Sequence, residues 1–147
     1  MARKRMVKPE FFTSATMNEL PIETMVTYAG MWCWADDDGR GEDDAAMVKA
    51  AVWPRRRKIT ERVVRTHMDA LVAAEVLCAY SVNGIPLVHV VAWDEHQSIS
   101  HPTKSKLAPC REHEPDAWDE FLNEEGTARH KFRTDSGEVP EWTRRAS

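Results

Sequence analysis

Thr60-Glu-Arg-Val-Val-Arg-Thr-His-Met-Asp-Ala-Leu-Val72, then Val76-Leu-Cys-Ala-Tyr-Ser-Val82, Asn83-Gly84 and Ile85-Pro-Leu-Val-His-Val-Val-Ala-Trp93, is the stretch whose change of period decides the fold. In its first part Val64, Met68, Leu71 and Val72 fall at i, i+4, i+7 and i+8, with Arg62, Arg65, Thr66 and Asp69 on the other side. That is an amphipathic helix, and Thr60 is placed to cap it. From Val76 the β-branched and aromatic residues instead read as two extended runs. Asn-Gly between such runs marks a type I′ hairpin, because both central residues of that turn need positive φ. Pro86 has no amide donor and belongs on an edge or beside the turn.

Working toward the N-terminus, Thr16-Met-Asn-Glu19 has capping-box spacing, so a helix is expected to begin between residues 17 and 22. Met25, Tyr28, Ala29 and Trp32 then form an apolar stripe, and Asp36-Asp-Asp-Gly39 stops the helix, since carboxylates are unfavourable at its negative end. Asp43 or Asp44 caps a second helix through Met47, Val48, Ala51 and Val52, which Pro54 ends. Three helices followed by a hairpin predict a mainly α (α+β) fold, a winged helix-turn-helix with a β-hairpin wing and an irregular C-terminal tail.

The chain has 147 residues, 42% of them hydrophobic and 30% charged, enough for one core. Apolar runs thin out after His96, so a domain is expected over residues 5–97. Residues 98–147 form a polar tail, partly disordered, with a short helix over 116–125. No apolar run approaches the roughly 18 residues that span a bilayer, and MARKRMVKPEFF lacks an apolar segment behind its basic start. Three widely spaced cysteines argue for a reducing compartment. Together these predict a cytoplasmic protein with no membrane partner.

With 20 Lys+Arg against 24 Asp+Glu, the net charge is -4, so any binding to a polyanion must be local. The segment Trp53–His67 supplies such a place: six basic side chains against one acidic, at the N-terminus of the third helix, where the helix dipole also attracts phosphate. Arg55, Arg56, Arg57, Lys58 and Thr60 are the expected phosphate-side residues. Arg62, Arg65 and Thr66 have the chemistry to read base edges in double-stranded DNA. A solubilising surface is the plainer alternative. Against duplex readout stand the wing tip, which has no Lys or Arg, and Asp69; Arg3, Lys4, Arg5 and Lys8 are either a compensating cationic arm or solvating sequence.

Further features carry a resemblance. Lys8-Pro9-Glu10-Phe11-Phe12, Leu20 before a helix ending Gly30-Met31-Trp32, Ala35-Asp36-Asp37 to Gly39-Arg40, Val52-Trp53-Pro54, and Trp93-Asp-Glu-His96-Gln97 occur in this order. The set resembles the N-terminal winged-helix domain of bacteriophage replication-initiation or replisome-organiser proteins. The resemblance implies a phage-type DNA-binding protein in the bacterial host cytoplasm, acting in replication initiation or transcriptional regulation, with a host or phage replication protein as a further partner. The chain departs from longer members in having no second folded domain.

Other chemistry is weaker. Asp36–Asp44 holds six carboxylates in nine residues, but Gly39 is misplaced for a calcium loop, so a solvated loop is expected. His96, His101, Cys110 and His113 are zinc-ligand types in no familiar spacing; no metal and no cofactor is expected. His67 and His89 read as hydrogen-bonded structural histidines. No nucleophile motif or phosphate loop is present, so the chain is not expected to be an enzyme. In the tail, Trp118, Phe121 and Leu122 form an i, i+3, i+4 anchor that either folds back or docks into a partner groove. This sustains a competing class, a small protein-interaction module that binds a host protein through its acidic loop or tail helix.

Overall fold

A computed structural model describes residues 3–136, with side chains as far as residue 125. Its elements are α1 (Glu10–Thr13), α2 (Ala15–Asn18), α3 (Ile22–Trp34), β1 (Arg40–Glu42), α4 (Ala45–Val52), α5 (Glu61–Ala73), β2 (Leu77–Val82), β3 (Ile85–Val90), α6 (Trp93–His96) and α7 (Pro115–Ser136). The fold is α+β. The strands form one antiparallel sheet in the order β1-β3-β2.

Local chemistry explains most boundaries. Asp44 accepts hydrogen bonds from the Ala46 and Met47 amides and so caps α4; Thr60 accepts from Val63 N and caps α5. Asn83 and Gly84 take φ of 54° and 78°, closing the β2–β3 hairpin as the Asn-Gly dipeptide requires. Pro86 lies beside this turn, beyond the last β1–β3 pair, Glu42↔Leu87. The N-terminal entry differs from its expected form. Ser14, not Thr16, provides the cap, accepting from Met17 N. Pro21 disfavours helical geometry at Leu20 and separates α2 from α3.

One core cluster gathers Tyr28, Met31 and Trp32 of α3, Val48 of α4, Val64, Met68 and Leu71 of α5, and Leu77, Val88 and Val90 of the sheet. The α3 stripe is rotated from its apolar reading: Thr24 and Thr27 are buried beside Tyr28 and Trp32, while Met25 and Ala29 are half-buried. On α4, Ala45 and Val48 are buried and Met47 is exposed.

Two expectations fail between Asp36 and Asp44 and in the tail. The acidic segment is not a solvated loop. Asp36 Oδ1 accepts from Asp38 N and Arg40 N, and Gly39 at φ 76° turns the chain into β1, which pairs with β3 at Arg40↔His89 and Gly41↔Val88. A Cβ at Gly39 would lie 2.6 Å from the Trp93 ring, so only glycine fits. The tail is irregular over residues 98–114 but is not loose, and it continues into α7. Residues 107–121 cover the outer face of the sheet, where Trp118 packs with Val82 and Leu87 beside Tyr80, Leu107, Ala108 and Phe121. Tyr80 Oη donates to Ala108 O at 2.7 Å, and the Arg40 guanidinium binds the Glu114 carboxylate through both oxygens and Leu107 O at 3.2 Å. Helix α7 extends past Gly126, eleven residues beyond the expected end at 125.

Both clusters are expected to contribute to stability. Leu71→Ala should cost about 2–5 kcal/mol and Trp118→Ala about 3–5 kcal/mol, because each removes a fully packed side chain. Urea denaturation of the full chain measures both, and a Trp118 variant as stable as the parent would detach the tail from the fold.

Candidate nucleic-acid interface

The basic segment expected to contact DNA is the α4–α5 connection, and both of its ends are fastened. At one end the Trp53 indole donates to Thr27 Oγ1 at 2.8 Å, and the same hydroxyl lies 2.8 Å from His67 Nδ1. The indole N–H can only donate, so Thr27 accepts from it while sharing a second hydrogen bond with His67 Nδ1. At the other end Ile59 is buried in the core. Between them Lys49 Nζ reaches back to Trp53 O and Arg56 O, and Ile59 N donates to Arg56 O at 3.1 Å. Four residues, Arg55, Arg56, Arg57 and Lys58, are thereby held outward and exposed.

Arg62, in the first turn of α5, is exposed as well. Among the described residues none of these five cations has a carboxylate partner within ion-pair distance. Their charge is therefore available to an incoming anion, next to the free amides of the α5 N-terminus.

The remaining expected contacts are committed inside the protein. Arg65 Nη1 lies 2.7 Å from Asp43 Oδ1, its Nη2 donates to Asp43 O, and Asp69 is 3.9 Å away. Thr60 spends its hydroxyl on the α5 cap, and Thr66 donates to Arg62 O of its own helix. An open cleft of about 640 Å³ between α4, α5 and Pro86 is lined by Glu42, Asp43, Asp44 and Glu61 as well as Arg62 and Arg65. The cationic surface is thus the loop and Arg62, and it becomes acidic toward the hairpin.

Of the candidate N-terminal arm, Arg3 and Arg5 are committed inside the protein, while Lys4 is exposed. Arg5 is buried, donating to Trp32 O, Ala35 O and Asp36 O, pairing with Asp37 at 3.0 Å and lying over the Trp93 ring. Arg3 pairs with the same carboxylate at 2.6 Å, and Lys8 donates to Glu95 O. The Thr103 amide, and against the effect of burial Arg3 and Arg5, hold the Asp37 carboxyl at about 2, below its ordinary 3.8.

The partner-docking residues divide. Trp118 is buried on the chain's own sheet, Phe121 is half-buried against it with ring centroids 5.4 Å apart, and Leu122 is exposed. Of the four expected zinc-ligand types, His96 stacks on Trp32 and His101 is exposed. Cys110 and His113 come together, joined by Cys78, which the sequence spacing did not single out. Comparison with known proteins finds no matching family model, curated protein or solved structure.

His67 makes the anchor of the loop sensitive to pH. Burial holds its imidazole below the ordinary value of 6.5, against the pull of Glu23. As pH falls below about 6.5 the unfolded chain takes up the proton first, so the contribution to stability is full above that pH and shrinks toward the lower folded value. Between about pH 7 and 5 the parent should lose stability more steeply than His67→Asn; parallel denaturation profiles would contradict this.

Proposed function

We propose that the chain binds double-stranded DNA through the α4–α5 loop and the first turn of α5, as a phage-type winged-helix protein of replication initiation or its regulation. The observation that carries the reading is a set of five exposed cations without an ion pair among the described residues, Arg55, Arg56, Arg57 and Lys58 on a loop anchored at both ends and Arg62 in the first turn of α5. Preorganised cations lose little freedom on meeting phosphates, and each contact releases a condensed counterion. The order α3-β1-α4-α5-β2-β3, with β3 central, supports the winged-helix part of the reading, in which α5 is the helix presented to DNA.

In this arrangement the loop carries affinity and few side chains are free to discriminate bases. Arg62 is the base-reading candidate in place of Arg65, which Asp43 holds. The acidic rim at Glu42, Asp43 and Asp44 repels phosphate, so the duplex lies toward the loop and away from the hairpin tip. The competing protein-docking module is less favoured because Asp36, Asp37 and Asp38 are engaged by Ser105, Arg3, Arg5 and Thr103, and Trp118 is buried.

Fluorescence polarisation with a random-sequence duplex at about 50 and 200 mM salt tests the reading. Changing Arg55, Arg56, Arg57 and Lys58 together to Ala should weaken binding to every sequence and flatten the salt slope by about 0.9 per lost contact, up to about 3.6. Asp43→Asn should strengthen binding by releasing Arg65 and removing a negative charge. Absence of duplex binding by the parent at low salt, or an unchanged slope in the quadruple variant, would overturn the assignment.

A further inference from the structure

Cys78 and His89 are directly paired across the β2–β3 hairpin, so both side chains leave the sheet on the outer face, the one covered by the tail. Cys110 and His113, three residues apart in the turn before α7, meet them there. Cys110 Sγ is 3.7 Å from Cys78 Sγ and 3.4 Å from His113 Nδ1, and the three ligating atoms all lie within 4.8 Å of one another.

These separations can be compared with a known coordination geometry. Tetrahedral zinc, with Zn–S of about 2.3 Å and Zn–N of about 2.0–2.1 Å, places two sulfurs about 3.8 Å apart and a sulfur and nitrogen about 3.5 Å apart. The sulfurs are too far apart for a disulfide, whose bond is about 2.05 Å. His89, on the same face of the sheet but outside that 4.8 Å group, offers a fourth donor. His89 Nδ1 is buried with no hydrogen-bond partner, and its ring centroid is 6.2 Å from that of His113. The other ring nitrogen, Nε2, lies 3.4 Å from Glu114 Oε1. A carboxylate at Nε2 favours the tautomer with its proton there, leaving the Nδ1 lone pair for a cation, as in carboxylate–histidine–metal arrangements. Glu114 is itself fixed by Arg40 and by the Cys110 amide at 3.2 Å.

We propose that Cys78, Cys110 and His113, with His89 as fourth donor, form a structural site for a zinc-class divalent cation that clamps the tail onto the hairpin. Two thiolates and two imidazoles select a soft or borderline metal over magnesium or calcium, which take oxygen ligands. The two donors from the sheet and the two from the tail are far apart in sequence, so the cation cross-links segments that also meet through Tyr80, Arg40 and the Trp118 cluster. Its position on the outer face separates it from α5, which packs against the inner one, so the site stands independently of the DNA reading.

The full chain, expressed with zinc and purified without chelator, tests the site by metal analysis and by titration of the apo protein with Co²⁺. The expected result is about one zinc per chain and a cobalt spectrum with tetrahedral d–d bands and thiolate-to-cobalt charge transfer. Cys78→Ser and Cys110→Ser should each weaken binding by more than tenfold and halve the charge-transfer band. His89→Gln should keep that band but shift the d–d bands, and Glu114→Gln should weaken binding by about 10–100-fold. Chelation should lower the melting temperature of the parent and leave that of the double variant Cys78→Ser/Cys110→Ser unmoved. A parent chain that takes up neither metal, a cobalt complex without the thiolate band, or a mass lower by two hydrogens that reports a Cys78–Cys110 disulfide would each overturn the proposal. The cobalt spectrum of the parent needs no variant to fold.

Discussion

Because Leu87, Val88, His89 and Val90 point alternately to opposite faces of β3 and are all nearly inaccessible to solvent, this strand needs a cover on each side. A strand buried on both faces carries no polar alternation, and every backbone group in it must find a partner within the protein. Helices α3, α4 and α5 cover the inner face through Leu77, Val88 and Val90. β1 and β2 take the two edges. The outer face falls to the tail, and the placement of Leu107, Ala108 and Trp118 follows from that need.

Covering that face also brings charges together. Arg40, opposite His89 in the β1–β3 register, is almost fully buried and meets Glu114 from the tail. Burial alone would raise the Glu114 carboxyl, but the Arg40 guanidinium, with His89 and the Cys110 amide, holds it below its ordinary range. Such a pair adds little against an apolar substitute, yet removing one partner costs about 3–5 kcal/mol because the other charge is left buried and unpaired. It therefore specifies which segment may cover the sheet. Apolar contacts at Trp118 alone would allow the tail to slide.

The helices and hairpin were legible because their signals are local: the 3.6 period of Val64, Met68 and Leu71, the caps at Asp44 and Thr60, and the Asn83-Gly84 turn. β1 was not, since three residues reading Arg-Gly-Glu have no strand pattern and form a strand only because β3 offers an edge. The tail's role as a cover for the sheet is only partly legible, for a related reason. Its own composition lacks a core, but the surface it needs is supplied by Tyr80, Val82 and Leu87 elsewhere in the sequence. The unalternated run Leu87-Val88-His89-Val90 held the clue, for it demanded a second cover. Among candidate site residues, Arg55–Lys58 and Arg62 remain exposed as composition suggested, while the fate of Arg65 depended on Asp43, 22 residues away. Cys78 joins Cys110 and His113 across a sequence separation that no local spacing rule encodes.

Net charge was a poor guide to the surface for the same reason. Of the nine-residue acidic stretch, Asp36, Asp37 and Asp38 take partners from the N-terminal segment, β1 and residues 103–105, and in doing so remove Arg3, Arg5 and Arg40 from the set of free cations. Acid and base thus cancel across the sheet edge. Among the described residues, four neighbouring cations without an ion pair, Arg55 to Lys58, are left on one loop, and that loop is anchored by Trp53 to the Thr27–His67 contact inside the helical core. A loop fixed in this way keeps its four cations close together despite their mutual repulsion, which the anchoring contacts must offset in the absence of an anion. A polyanion relieves that repulsion without rearranging the core, and this is why the proposed interface is preorganised while the acidic stretch is structural.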